Sequence, residues 1–214
     1  MEIKDLITDT GVYFLIINTF VFIINYDKKA KALKYFIMYL VLCLVVQLYS
    51  SHLYDLGENN LFLSHYFFTG QFIFLSLFFS TLQSFKKLKN LIRFLIFPIA
   101  LFFVIYLSTN PEAYEEWNVY EIAATSIFLL MYSFYFFLKK IDDNNDKKYI
   151  YFNSGFFVYT LCSTLIFILG PIGSRELKLF VWDANTFLYL VFQIFIFVEW
   201  YKNFRKPNNI SKQL

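Results

Sequence analysis

The sequence has few of the residues that build soluble active sites. Only six glycines and four prolines occur in 214 residues, which leaves little room for a glycine loop that cradles phosphate. The Gly-x-Ser-x-Gly and His-Glu-x-x-His patterns of hydrolases and metalloproteases do not occur in it. We therefore predict no catalytic residues. Membrane hydrolases can work with isolated carboxylates and histidines, so an enzyme of that kind stays open, although the sequence favours a protein that is not an enzyme.

Cysteine and histidine are also scarce, which bears on cofactors. Cys43 and Cys162 both fall inside long apolar runs, so we predict packed free thiols and no disulfide. His52 and His65 lack the spacing of a metal-ligand motif, so we predict no metal site. The last apolar run, residues 184–201, contains no lysine, and a retinal Schiff base in that helix needs one. Covalently bound retinal is therefore excluded, and no cofactor is expected.

Long apolar runs are what the chain has in abundance. Hydrophobic residues make up 58% of it and aromatic residues 23%, more than a soluble domain of this length can bury. A helix of about 20 residues crosses a hydrocarbon core of about 30 Å. We predict an all-α polytopic membrane protein with a single domain over residues 1–214. Its seven transmembrane helices are predicted at residues 11–26, 35–54, 61–83, 91–108, 119–138, 151–170 and 184–201.

Charged residues concentrate in the breaks between these runs, and their sign alternates. Of the 19 basic residues, 16 lie in or beside the first, third and fifth breaks or in the tail at 202–214, whereas the other side is acidic. Basic residues beside spans stay in the cytoplasm. We therefore predict an N-out/C-in multi-pass protein of the bacterial inner membrane, with a short basic cytoplasmic tail at 202–214. The basic flanks suit anionic lipid headgroups, and they are too short to indicate a nucleic-acid partner.

The chain resembles itself in two places. Gln71-Phe72-Ile73-Phe74 in the third span is similar to Gln193-Ile194-Phe195-Ile196-Phe197 in the seventh, and a basic flank follows both. This pattern predicts that spans one to three repeat as spans five to seven, with the fourth as a linker. An odd linker leaves both halves in the same orientation, which is a parallel 3+1+3 repeat. The layout is similar to that of sugar-transporter, PQ-loop and rhodopsin-like bundles, a similarity of architecture alone.

Uncharged polar residues inside the spans give the first group of ligand-binding candidates. Gln71 and Gln193 would lie at equivalent depth in the two repeats, and Asn185 begins the seventh span. Such residues either bond helices together, at about 0.6 kcal/mol per contact, or line a polar pocket inside the bundle. The spans place no charge at mid-depth, which argues against a proton-coupled pump because such pumps use buried carboxylates.

Histidines and carboxylates at the predicted outer boundary give the second group. His52 ends the second span and His65 begins the third, so a hairpin brings them to similar depth, and Glu121 and Asp183 lie at the same level on other spans. Because histidine titrates near neutrality and binds metals, these residues could sense pH or a ligand from outside. The alternative is that both histidines bond neighbours or headgroups. The ligand-binding candidates are therefore His52, His65, Gln71, Glu121, Asp183, Asn185 and Gln193.

Four segments carry a resemblance to a known family. They are Asn-Asn-Leu-Phe-Leu-Ser-His-Tyr-Phe at 59–67, Gln-Phe-Ile-Phe-Leu-Ser-Leu-Phe-Phe at 71–79, Tyr-Phe-Asn-Ser-Gly-Phe-Phe-Val-Tyr at 151–159 and Val-Trp-Asp-Ala-Asn at 181–185. These segments resemble small seven-span proteins of Bacteroidota that are often encoded beside sensor histidine kinases. The family frequently has Glu where this chain has Gln71, and a Trp-x-x-His-like motif near Asp183. The resemblance implies a cytoplasmic signalling partner such as a histidine kinase.

These features favour a receptor-like or sensory membrane protein. It would bind a ligand from the outer side or the bilayer and act through a cytoplasmic or membrane partner, because the chain has seven spans and no output domain. One alternative is a transporter of a small molecule or lipid, with a polar pocket between the two three-helix repeats. Another is a membrane enzyme that modifies lipids. Transport predicts solute flux across vesicles, whereas a sensor predicts a bound partner.

Overall fold

A computed structural model of the protein describes residues 3–28, 30–142, 147–169 and 175–205. Every regular element within those residues is helical, which confirms the predicted all-α class. The helices are α1 (Ile3–Ile24), α2 (Lys31–Asp55), α3 (Leu63–Thr81), α4 (Lys89–Thr109), α5 (Pro111–Tyr114), α6 (Val119–Asp142), α7 (Ile150–Leu169) and α8 (Arg175–Asn203), with a 3₁₀ turn at Gln83–Phe85. Cys43 and Cys162 are free thiols, as predicted.

Among the described residues, six helices are long and apolar enough to cross a membrane. They are α1, α2, α4, α6, α7 and α8, so the chain has the features of a multi-pass membrane protein. α3 is shorter and carries polar side chains such as His65 and Gln71, yet both of these are buried. It packs against α2, α4 and α6, so it needs less lipid-facing apolar surface than its neighbours.

Several helices extend beyond the predicted spans. α1 begins at Ile3 rather than at residue 11, and α8 begins at Arg175, inside the predicted loop at 171–183. The predicted loop at 109–118 contains the short helix α5. Apolar composition marks only the part of a helix suited to hydrocarbon, whereas backbone hydrogen bonding continues into polar turns. Residues 206–214, most of the predicted tail, and 170–174 lie outside the described residues.

α3 and five of the six long apolar helices form a closed ring. The contacts run α1–α2–α3–α6–α7–α8 and return from α8 to α1, while α4 lies outside the ring against α3. The ring therefore contains two sequential triplets, α1–α3 and α6–α8. The triplets meet at two junctions, α3 with α6 and α8 with α1.

One close pair within each triplet contains a glycine. A Cβ added to Gly155 on α7 would lie 2.6 Å from Phe195 Cβ on α8, and one added to Gly70 on α3 would lie 2.6 Å from Leu42 Cδ2 on α2. Small residues allow helix backbones to approach closely, which is how helices associate in lipid. Gly155 thus sets the α7–α8 spacing, whereas Gly70 meets only the end of the flexible Leu42 side chain.

The two ends of the bundle differ in charge. The end where α1, α3, α6 and α8 begin, called here the His65 end, holds most of the acidic residues, and the opposite end, called the Glu199 end, holds most of the basic ones. The acidic set is Asp5, Asp9, Asp55, Glu58, Glu112, Glu115, Glu116, Glu121, Glu176 and Asp183. The described basic set is Lys28, Lys31, Lys34, Lys86, Lys87, Lys89, Arg93, Lys139, Lys140, Lys147, Lys148, Lys202 and Arg205.

Candidate functional site

Two of the predicted site residues meet at the α3–α6 junction. His65 Nδ1 lies 2.5 Å from Glu121 Oε2, and both side chains are almost fully buried, at 4% and 0% exposure. The contact forms because α3 and α6 run parallel with their first turns side by side. The two residues are 56 positions apart, so no local sequence pattern could predict their contact.

Glu121 is held by groups from two helices. The Thr69 hydroxyl on α3 donates to Glu121 Oε1 at 2.7 Å. Just before α6, Asn118 Oδ1 accepts the backbone N–H groups of Tyr120 and Glu121 at 3.1 and 3.2 Å, which is a helix N-cap. Glu121 therefore lies in the first turn of α6, where the positive end of the helix dipole favours a carboxylate.

Hydrogen-bond geometry restricts where the protons of this pair can sit. His65 Nε2 lies 3.2 Å from the Tyr114 carbonyl oxygen, which only accepts, so Nε2 must carry a proton. One further proton lies between His65 Nδ1 and Glu121 Oε2, on either atom. Both arrangements leave the pair neutral overall, and a neutral pair avoids the cost of burying a single uncompensated charge.

A pocket of about 680 Å³ lies beside the pair, between α3, α4 and α5. Its volume falls in the usual range for a small-molecule site. One part of its wall is polar, formed by His65, Tyr66, Thr69, Ser108, Tyr114 and Glu115. The rest is formed by Gly70, Ile73, Val104, Leu107 and Pro111. We call this space the α3–α4 pocket.

Tyr114 on α5 closes the polar end of the pocket. Its ring stacks on His65 with centroids 5.8 Å apart, and its hydroxyl lies 3.0 Å from that of Tyr66. The hydrogen bond with Tyr66, together with burial, raises the pKa of Tyr114 to about 12. Tyr114 therefore keeps its proton near neutral pH and remains a hydrogen-bond donor. The sequence analysis missed Tyr66 and Tyr114, because neither belongs to a recognisable motif.

The other predicted site residues lie elsewhere. His52 and Asp183 are exposed. Gln71 and Gln193 are buried, and neither lines the α3–α4 pocket or the second cavity described below. Gln193 instead joins the triplets, since Asn18 Nδ2 donates to its carbonyl oxygen at 2.9 Å and to its Oε1 at 3.0 Å. Asn185 lines the second cavity.

A second buried carboxylate lies at the Glu199 end. Glu199 on α8 is 0% exposed and accepts the backbone N–H groups of Tyr149, Tyr151 and Phe152 at 2.6, 3.0 and 3.3 Å. Asn203 Nδ2 also donates to it at 2.8 Å. These bonds satisfy the free donors at the start of α7, so Glu199 fastens α7 to α8.

Metal and cofactor chemistry can be examined on the same residues. Within the described part of the chain, no group of three or more His, Cys, Asp or Glu side chains could hold a metal ion. The exclusion of covalently bound retinal from the sequence rests on residues 184–201, which contain no lysine. Because α8 is longer than that predicted span, it also includes Lys178 and Lys202 near its two ends.

The comparisons with known proteins give no match: no protein-family model, curated protein or solved structure matches this chain.

Proposed function

We propose that the protein is a receptor-like membrane protein whose ligand occupies the α3–α4 pocket. The observation that carries this proposal is a ligand-sized pocket that ends on a buried, neutral His65–Glu121 pair. Pockets with an apolar wall and a few convergent polar groups are the usual form of small-molecule sites. The composition of the wall suits an amphiphile, with its apolar part along Ile73, Val104 and Leu107.

The polar end of the pocket favours a neutral acceptor group on the ligand. Tyr66 and Tyr114 offer hydroxyl groups there, and His65 Nε2 carries a proton. Glu115 in the wall disfavours a ligand carboxylate by like-charge repulsion. A carbonyl, ester or hydroxyl head would accept hydrogen bonds without that penalty.

The membrane arrangement is part of the proposal. α3 would cross the membrane together with the six long apolar helices, because it is packed within the ring, and this gives seven spans. The positive-inside rule would place the basic Glu199 end in the cytoplasm of a bacterial inner membrane. The α3–α4 pocket would then face the outer half of the bilayer. Single cysteines at Glu58 and Lys87, in a Cys43→Ser/Cys162→Ser background, should be labelled from opposite sides of sealed vesicles; labelling from the same side would contradict this orientation.

The ring supports the parallel 3+1+3 arrangement as a further part of the proposal. If α1, α2 and α3 correspond to α6, α7 and α8, the junction of α1 with α8 corresponds to that of α6 with α3, and both junctions are observed. α4, outside the ring, takes the place of the linker.

α4 offers a path from the pocket to the other end. Only 11% of the residues in its apolar stretch are buried, against 44% in that of α6, so α4 is the least enclosed of the six candidate spans. Near the Glu199 end, Arg93 Nε on α4 donates to Ser80 Oγ on α3 at 3.3 Å. A ligand wedged between α3 and α4 would change their relative position, and a cytoplasmic partner at the basic end would detect the change.

Purification from the native host in mild detergent tests this function. Mass spectrometry should find a stoichiometric protein partner, such as a histidine kinase, together with a retained amphiphile. A partner without any amphiphile would contradict the ligand site, and an amphiphile without any partner would contradict the receptor role. Facilitated solute flux by the purified chain in vesicles would favour transport instead.

A further inference from the structure

A second cavity lies inside the ring, between the two triplets. It measures about 250 Å³, and its wall comes from α1, α2, α3, α7 and α8. Nine of its twelve lining residues carry a hydroxyl, amide or thiol group. We call this space the central cavity. It shares no lining residue with the α3–α4 pocket.

The central cavity extends from the His65 end toward mid-depth. Thr8, which is exposed, and Ser50 lie near that end, whereas Tyr39 and Cys43 lie deeper along α2. Beyond Tyr39 the interior is filled by packed rings: Tyr39 contacts Phe36 and Phe152, whose own centroids are 4.6 Å apart. The cavity therefore has its mouth at the His65 end and its floor on aromatic rings.

Interhelical bonding does not account for all of the polar groups in the wall. Asn185 Oδ1 is a buried atom with no hydrogen-bond partner among the described residues. An unpaired buried acceptor costs free energy unless something in the space beside it donates a hydrogen bond.

Among the described residues, the lining of the central cavity contains no charged side chain, which bears on the kind of solute it can hold. No Asp, Glu, Lys, Arg or His is among its residues, all of which lie in the described part of the chain. An ion at this depth would lose its hydration without gaining a counter-charge, whereas a neutral molecule could exchange its water hydrogen bonds for those of the wall. We propose that the central cavity is a binding site for a small, neutral, hydrogen-bonding solute that enters from the His65 end. This site does not depend on the ligand assigned to the α3–α4 pocket.

Cys43 provides the test, because its thiol lies in the wall. In a Cys162→Ser variant in lipid nanodiscs, Cys43 Sγ would attack three methanethiosulfonates of similar size, forming a mixed disulfide and releasing methanesulfinate. The reagents are hydroxyethyl (neutral), sulfonatoethyl (anionic) and trimethylammonioethyl (cationic) methanethiosulfonate. Each rate is divided by the rate of the same reagent with free cysteine. Comparing reagents on one thiol cancels the effect of that thiol's own reactivity.

We expect the neutral reagent to modify Cys43 at least about tenfold faster than either charged one. A Val46→Trp variant, which narrows the cavity, should slow the neutral reagent, and Asn185→Asp or Gln47→Glu should raise the relative rate of the cationic reagent. Lack of reaction with the neutral reagent would overturn the proposal, and so would equal rates for all three reagents. An unchanged rate in Val46→Trp would also overturn it, because the thiol would then be reached by another route.

Discussion

At the residue scale, the central feature is a histidine held between two acceptors. His65 faces the Glu121 carboxyl group on one side and the Tyr114 carbonyl on the other. Because the carbonyl fixes one proton on Nε2, the second proton is shared with Glu121, and the pair stays neutral in a buried place. A ligand group that takes over the Nε2–H bond would act on the same shared proton.

Two substitutions at Glu121 distinguish the loss of its charge from the loss of its hydrogen bonds. In Glu121→Gln, the new amide can donate to His65 Nδ1 while its oxygen still accepts from Thr69, so the network remains satisfied. In Glu121→Leu, the buried His65 Nδ1 loses its partner, which costs about 1–3 kcal/mol, and the half-buried Thr69 hydroxyl loses its acceptor. Thermal unfolding in detergent should show a small loss of midpoint for Glu121→Gln and a loss of several degrees for Glu121→Leu.

The control for this comparison is Glu58→Gln, since Glu58 is an exposed carboxylate. It should leave the midpoint unchanged. Adding His65→Leu to Glu121→Leu should cost less than the sum of the two single changes, because the partners are coupled. Equal losses for Glu121→Gln and Glu121→Leu, or strict additivity, would contradict the bonded pair.

Tyr66 gives a second prediction at this scale. Its hydrogen bond is the main cause of the raised pKa of Tyr114, which is about 12 against an ordinary value of 10.0. Tyr66→Phe should lower the pKa of Tyr114 toward its ordinary value. Carbon-13 NMR of labelled tyrosine, with the Tyr114 signal assigned by Tyr114→Phe, measures this pKa. Tyr120→Phe is the matched control because Tyr120 is 81% exposed.

The sign of the accompanying stability change follows from the same pKa. Between about pH 10 and 12 the unfolded chain loses the Tyr114 proton first, while the folded chain keeps it. Folding stability therefore falls as pH rises through this window, and it should fall less in Tyr66→Phe. A Tyr114 pKa that is unchanged in Tyr66→Phe would contradict the assigned hydrogen bond.

At the element scale, the helices differ in how many neighbours they contact and in how they are held to them. α3 is enclosed by α2, α4 and α6 and carries His65, Tyr66 and Thr69 of the site. α4 touches the rest of the bundle mainly through α3 and α5. α7 is fastened at its start by Glu199 and along its length by the close approach at Gly155.

The two close glycines predict different costs for the same change. In Gly155→Ala the new methyl meets Phe195 Cβ, which is fixed to the α8 backbone, so the helices must separate at about 1–3 kcal/mol. In Gly70→Ala it meets Leu42 Cδ2, the mobile end of a side chain, and alanine's better helix propensity offsets the contact. Thermal midpoints should fall for Gly155→Ala and stay nearly constant for Gly70→Ala. Equal midpoints would contradict the packing described for α7 and α8.

At the scale of the whole molecule, the sequence predicts what depends on local composition. Helical class, apolar spans and the opposite charge of the two ends all follow from runs of neighbouring residues. The first residues of a helix are harder to predict from sequence. Arg175, Glu176 and Lys178 have the composition of a loop, yet they begin α8. Seven spans and their orientation remain predictions.

The candidate site was only partly predictable for a related reason. His52 and His65 looked equivalent in sequence, because each lies at a predicted boundary. His65 is buried against Glu121 because α3 packs on α6, whereas His52 is exposed in the last turn of α2. Which polar residues meet depends on the order of helices in the ring, and no local pattern encodes that order.

The central claim is that the α3–α4 pocket holds an amphiphile, and native mass spectrometry of the protein from its host tests it most directly. Leu107→Trp puts a larger ring into the pocket, whereas Ile127→Trp adds the same ring on α6, where Ile127 is 53% exposed outside that pocket. Wild type and Ile127→Trp should carry the same bound mass, and Leu107→Trp should retain less of it. A wild type without bound amphiphile, or equal retention by Leu107→Trp, would contradict the account.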